Sequence, residues 1–592
     1  MVKRIPGLVK RQLERQSQQV QDFGQSAEKS FERNFYKKWE RLKDVRRFMA
    51  AWIGLCLLLL TALVMQIAQL GSFFQAQQAV DGGIYEEGTL GLISNINPIY
   101  ATSGTDTSLS RLVYAGLLTY DTQNRLVSNL AKSSSVSDDG KTYTVKLKPG
   151  LTWHDGRPIT SADVLFTFQT AQNPDARSPL QASWQGITMS APDAHTVSFV
   201  LPAALASFPS NLTTGLLPKH VLGKTKMADM RSVDFNAVPP LGAGPFMWHG
   251  IEVSGTNPTN AEMRVGLRPF EKYAGGKPKL SEFILHAYAS EKLLSQAFKD
   301  GQLTAVSGLL SAPNNLGKDH IAHSLILTAG TYVFFKTTSP ILSDSKVRQA
   351  LVAASNPGAI IDSLGYTTRA VSGPLLQGQL GQDSKYNQKT NDIAGAEKLL
   401  DDAGWKIDQK DNKLRKDGKP LRFGLVAVDT PEYRRVIDRL QRQWAKIGVQ
   451  TDVRLESATD YAATLSSHSY DATLYGISIG SDPDVFAYWD SSQADVRASN
   501  RLNLSEWKSG TADGALRGGR TRLDPKLRVI KYAPLLQAWQ QDAPALGLYQ
   551  PRYLYITRGT VHGLPTGMIN SGADRFNDVQ NWRIRSAMVT QE

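Results

Sequence analysis

With one cysteine in 592 residues, Cys56, the chain has no internal disulfide framework and no zinc site built on cysteine pairs. Burial of apolar surface must therefore stabilise whatever folds. Histidine is also sparse. Nine are scattered along the chain and only His320 and His323 stand close together, so no histidine-rich metal site is visible. The sequence contains no HExxH, GxSxG or Walker A motif, which removes the metalloprotease, serine-hydrolase and P-loop readings. The stretch 408–418 has acidic residues and glycine, but not the alternate-position spacing of an EF-hand. These absences set the expectation of a protein that is not an enzyme and holds no cofactor or metal.

Apolar residues make up 41% of the chain and charged residues 20%, ordinary values for globular protein, and the length calls for two to four domains. The net charge of +13 suggests nucleic acid until it is located. Residues 1–49 hold 13 Lys/Arg against 6 Asp/Glu, so +7 of the excess precedes an apolar stretch and no nucleic-acid partner is expected. That stretch, 50–70, is 21 residues without a formal charge, long enough at about 1.5 Å per residue to cross a hydrocarbon core of roughly 30 Å. Arg46 and Arg47 stand directly before it. The positive-inside rule then places the N-terminus in the cytoplasm and 71–592 outside, with 50–70 as an uncleaved signal anchor and 71–83 as a linker. Within the basic arm, Phe31, Phe35, Trp39 and Leu42 fall on one helical face among Lys and Arg, which suits an amphipathic helix on anionic lipid near 29–47. The alternative is a partly disordered basic arm that only orients the anchor.

Beyond the anchor the patterning becomes α/β. Around 138–168, Tyr143, Val145 and Leu147 alternate with polar residues as in a half-buried strand, and Asp139-Gly140, Pro149-Gly150 and Asp155-Gly156 mark turns. Thr160 and Asp163 then form a capping box ahead of an apolar helix that Asn173-Pro174 ends. His154, beside the last of these turns, is expected to fix that turn by hydrogen bonding. Further on, a strand over 421–428, a helix over 431–447 closed by Gly448 and a strand over 449–453 form a βαβ unit with a parallel pair. A helix is expected at 109–114 and another strand at 471–476.

Several of these pieces occur together in a known pattern. Val136-Ser-Asp-Asp-Gly-Lys-Thr-Tyr-Thr144, Trp153-His154-Asp155-Gly156 and Thr160-Ser-Ala-Asp-Val164 resemble, in order, the signature of the family 5 extracellular solute-binding proteins, the oligopeptide- and dipeptide-binding components of ABC importers. Leu241-Gly-Ala-Gly-Pro-Phe246, Tyr273-Ala-Gly-Gly-Lys-Pro-Lys-Leu280 and Val347-Arg-Gln-Ala-Leu351 extend the likeness, which covers about 85–585. The resemblance implies a two-lobed α/β periplasmic-binding-protein fold with an extra domain, behind a single N-terminal transmembrane helix. It implies domain I from 84–115, 241–305 and 546–592, domain II from 116–240 and domain III from 306–545. It also implies a peptide or other small solute as ligand and ABC permease subunits as partners. A membrane-anchored sensor or scaffold on the same fold is the alternative, suggested by the long cytoplasmic arm. Most relatives that are tethered use a lipidated cysteine, but Cys56 has most of its apolar run after it, so lipidation is not expected.

The resemblance places two loops beside the ligand. One is Thr102, Ser103, Gly104, Thr105 and Asp106; the other runs through Tyr475, Gly476, Ile477, Ser478, Ile479, Gly480, Ser481 and Asp482. In the second loop peptide-binding relatives carry G-W-x-x-D, whose aspartate pairs with the ligand's α-ammonium. Here Ile477 stands at the tryptophan position and Gly480 or its neighbour at the aspartate position. Either another acid, Asp106 or Asp482, replaces that anchor, or the ligand lacks an amine there. Asp482 and Asp484 correspond to a later D-P element expected to cap the next helix.

Overall fold

The computed structural model describes residue 29 and residues 46–73, 75–257, 259–313, 317–408, 413–495, 497 and 501–590. Two compact units are present, 1–78 with 586–592, and 79–585. The expected amphipathic helix at 31–42 lies outside the described residues.

The first unit is organised by one 28-residue helix, Arg46–Phe73. Its stretch Phe48–Ile67, 20 residues, is long and apolar enough to cross a membrane and has none of its side chains buried. Thr61 and Gln66 interrupt an otherwise apolar exterior. The described residues of 71–83, the expected linker, include the end of this helix and a strand. The helix reaches Phe73, and the strand Gln75–Val80 pairs with the strand Arg585–Thr590. The partner strand lies some 500 residues away in sequence, so nothing local announces the pairing.

The second unit contains sheets of seven, five and four strands, together with two small ones. The seven-stranded sheet runs in the order His320–Ile326, Arg552–Arg558, Ala305–Ser307, Ile84–Leu90, Glu282–Tyr288, Glu262–Pro269 and Phe246–Ser254. It thus gathers strands from 84–90, 246–326 and 552–558. The five-stranded sheet runs Gln450–Glu456, Arg422–Val428, Ala472–Ser478, Ala329–Phe335 and Ala545–Tyr549, so 545–549 forms one of its edges. Within it Arg422–Val428 lies parallel to Gln450–Glu456, as the βαβ pattern predicts. The connecting helix Pro431–Ala445 starts on Thr430, whose hydroxyl accepts from Tyr433 N. It buries Val436, Ile437, Leu440 and Trp444 on one side. Trp444 Nε1 donates to Leu351 O at 3.0 Å, tying this helix to the helix Ser345–Ala354.

The four-stranded sheet, Ala131–Val136, Thr142–Leu147, Thr196–Val200 and Thr188–Asp193, contains the alternation read at 143–147. Tyr143, Val145 and Leu147 are all buried while Lys146 is exposed, and Tyr143 and Val145 lie opposite Phe199 and Val197. The helix Ser161–Gln172 covers this sheet and starts with the expected reciprocal box between Thr160 and Asp163. Phe168 stacks on Trp184 at 4.0 Å, with Phe199 and Phe208 against the same indole, giving an aromatic core.

Candidate functional site

Ser103 caps the helix Gly104–Val113, its hydroxyl accepting from Asp106 N at 3.0 Å. The helix starts five residues before the position expected from sequence, because the Ser-Gly-Thr-Asp run is a cap with an acid in the first turn. Asp106 is 2% exposed. Its carboxylate accepts from Ser94 N, Asn95 N and the Ser94 hydroxyl at 2.9, 3.1 and 2.6 Å. Thr105 donates to Gly91 O at 2.7 Å. Both residues thus fold the segment after the strand Ile84–Leu90 onto the helix, while Thr102, Ser103 and Gly104 form its exposed tip. Thr107, Ser110, Arg111 and Tyr114, at helical spacing, line a cavity of about 210 Å³.

Behind that helix, Ser108 receives a hydrogen bond from Arg575 at 3.1 Å. Arg575 and Glu87 form an ion pair with neither side chain exposed to solvent. Tyr555 donates to Glu87 Oε2 at 2.7 Å, and Ser307 to Glu87 Oε1 at 2.9 Å. A fully paired buried network of this kind holds its members in one geometry. It fixes the face of the helix opposite the cavity.

A second cavity of about 340 Å³ adjoins the first, sharing Arg111, Thr213 and Ser571. Its far wall is Ile479, Gly480, Ser481, Asp482 and Asp484. This part of the second predicted loop therefore does face the cleft. Tyr475, Gly476, Ile477 and Ser478 do not line it. They continue the strand Ala472–Ser478, opposite Tyr332, Thr331, Gly330 and Ala329, and Ile477 is a core residue. At Gly480, φ of +82° turns the chain out of the strand, a conformation costly for any residue with a Cβ. Ile479 N and Gly480 N both donate to Thr328 O at 3.0 Å, and Gln379 Nε2 donates to Gly480 O at 2.8 Å.

The carboxylates of this wall are occupied. Asp482 takes two hydrogen bonds from the Arg528 guanidinium, at 2.8 and 2.7 Å. Burial pushes the Arg528 pKa down, but the Asp482 carboxylate more than offsets this and raises it overall. Asp484 pairs with Arg520 at 3.0 Å and accepts from the Ser207 hydroxyl at 2.9 Å. Neither acid takes the N-cap position of the helix Phe486–Trp489, which is Val485; Asp484 only accepts from Phe486 N at 3.4 Å. On the near wall Arg111 pairs with Asp574 at 2.8 Å, and the other Asp574 oxygen accepts from Asn570 N and Ser571 N. Three contacts cross from the 116–240 stretch to the far wall: Ser207 to Asp484, Ala206 N to Arg520 O at 2.9 Å, and the Ser481 hydroxyl to Tyr120 Oη at 3.2 Å.

His154 lies away from this cleft. Its backbone N donates to Gly242 O and its Nε2 to Gly244 O, both at 3.0 Å, so it clasps its turn to the 242–244 segment ahead of the strand Phe246–Ser254. Burial lowers its pKa to about 4. Among the described residues no group of three or more metal-ligating side chains occurs. The residues that sequence reading missed are Arg111, Tyr114, Thr213 and 570–577. Thr107, Ser110, Arg111 and Tyr114 carry a helical-period polar stripe that could have found the first two. The others reach the cleft through loops whose approach is purely tertiary.

Comparison with known proteins gives a consistent picture. The family model described as bacterial extracellular solute-binding proteins, family 5, middle, matches residues 125–497. The oligopeptide-binding protein AppA of Bacillus subtilis is 25% identical over 488 residues, spanning 79% of this chain and 86% of that protein. The crystal structure of the ABC transporter substrate-binding protein CtaP from Listeria monocytogenes superposes with a TM-score of 0.72 at 25% identity, covering 85% of this chain and 99% of its own. That of NikZ from Campylobacter jejuni, in complex with Ni(L-His), gives a TM-score of 0.69 at 24% identity and covers 84% and 99%.

Proposed function

The chain belongs to the bacterial extracellular solute-binding proteins of family 5, and from that premise we propose that it captures a peptide in the cleft between its lobes and hands it to an ABC permease. The cleft around Arg111, Thr213, Gly480 and Ser571 carries this reading, since it lies where stretches distant in sequence close on one another. Backbone amides of a peptide match the hydroxyl and carboxamide groups that line it. Relatives of this kind are named as binding proteins, and catalysis has no place in the reading.

The apolar helix Phe48–Ile67 anchors the protein, with the basic arm in the cytoplasm on anionic lipid near 29–47 and the folded part outside, where solute arrives. The proposed ligand residues are those of both loops, 102–106 and 475–482; Ile479, Gly480, Ser481 and Asp482 have the stronger support because they line the cleft. The proposed domain division is that of the family: 84–115, 241–305 and 546–592 as domain I, 116–240 as domain II and 306–545 as domain III. Isothermal titration and thermal melting of the full chain in detergent with a pool of di- to pentapeptides test the ligand. Heat and a raised Tm are expected; no heat and no shift with any peptide removes peptide as the ligand.

A further inference from the structure

We propose that the cleft is built for a ligand that presents no charge to it, recognised through neutral hydroxyl and amide groups. This rests on the solute-binding reading above and narrows its substrate class.

Four charged side chains line the two cavities: Arg111, Asp482, Asp484 and Asp574. Each already has a partner of opposite charge. Arg111 is held by Asp574, Asp482 by both arms of Arg528, and Asp484 by Arg520. Asp106, the other acid considered as an amine anchor, is 2% exposed and folded onto Ser94 and Asn95. An ammonium or carboxylate entering here would lose its water and meet no free counter-charge, which costs several kcal/mol in a closed site. The remaining polar lining is neutral, with Ser207, Ser210, Asn211, Thr213, Asn570 and Ser571 along the larger cavity.

A second observation points the same way. Tyr114 lines the smaller cavity, is 3% exposed, and its hydroxyl has no hydrogen-bond partner. Asn577 Oδ1, in the same lining, is also buried and unpartnered. Burial drives the Tyr114 pKa far up, so the phenol stays neutral and offers a donor. A neutral donor and a neutral acceptor, both left unsatisfied in the lining, are met by an amide or by a pair of hydroxyls. A peptide with blocked or distant termini supplies the first and an uncharged oligosaccharide the second.

The test uses the full chain in detergent and one set of tri- to pentapeptides in two forms, free at both ends or N-acetylated and C-amidated, beside a panel of neutral di- to tetrasaccharides. The blocked peptides or the saccharides are expected to bind at least tenfold tighter than the free peptides, with affinity unchanged between 50 and 500 mM salt, roughly a threefold change in Debye length. Tyr114→Phe should then weaken that binding about tenfold while leaving the Tm of the unliganded protein equal or higher, because it removes an unsatisfied hydroxyl. Saccharide binding alone sustains the uncharged-ligand inference and overturns the peptide reading. Free peptides binding tighter than their blocked forms overturn the inference and keep the peptide reading. Binding by neither panel at millimolar ligand, with a cooperative melt, counts against both.

Discussion

Arg528 illustrates how much one side chain decides at this cleft. Its side chain is 7% exposed, and its guanidinium holds both oxygens of Asp482. Arg528→Gln leaves the carboxylate without a counter-charge in a largely buried place and should cost about 3 kcal/mol, seen as a lower Tm. The same variant turns Asp482 into a free acid beside the ligand, and affinity for free-amine peptides should rise. An unchanged Tm would mean that the pair is idle. His154 makes the second prediction at this scale. Its folded pKa, about 4, lies below the ordinary 6.5. Above pH 6.5 the ring is neutral in both states. As pH falls from 6.5 to 4, the unfolded chain binds a proton that the folded chain refuses, so stability falls, by about 3 kcal/mol at pH 4. Denaturant titrations at pH 7 and pH 4.5 should show a smaller drop for His154→Gln than for the parent; equal drops would dissociate His154 from the acid sensitivity.

Among the elements, the segment 242–244 is the tightest. A Cβ added at Gly242 would stand 1.9 Å from Val113 O, and one at Gly244 2.5 Å from Val113 C. Backbone cannot step aside as a flexible side chain can, so Gly242→Ala should destabilise by about 3 kcal/mol or more. Thermal melting measures it, and a variant within 1 °C of the parent would contradict this packing. Element by element, the sequence was legible where the signal is local. The alternation at 143–147, the Thr160–Asp163 box and the 422–456 parallel unit all appear as read. It was illegible where an element depends on a distant partner. The strand Gln75–Val80 finds 585–590, His320–Ile326 finds 552–558, and Ala545–Tyr549 finds 331–334. The same divide runs through the site. The Gly480 bend is marked by its own residues, but the engagement of Asp482 by Arg528 is not, since the two are 46 positions apart with the helices Phe486–Trp489 and Gly510–Arg520 between them.

Across the whole molecule, the contacts from Ser207 and Ala206 to Asp484 and Arg520 join stretches on opposite sides of the cleft. Asp484→Ala removes the acceptor of the Ser207 hydroxyl and frees the Arg520 side chain, so the balance between closed and open lobes should move toward open. Small-angle scattering of the unliganded protein should report a larger radius of gyration, and saturating ligand should reverse it. An identical radius in variant and parent would show that these contacts do not govern closure.

The backbone bond from Gly244 N to Val113 O, 2.8 Å long, has one more consequence. The chain leaves the seven-stranded side at residue 113 and comes back at 244, beside the point of departure. Everything between is a single detour with adjoining ends. Such a detour can be exchanged for a relative's counterpart when the replacement keeps the contacts made elsewhere, Thr566 N to Thr122 O and Ser207 to Asp484 among them.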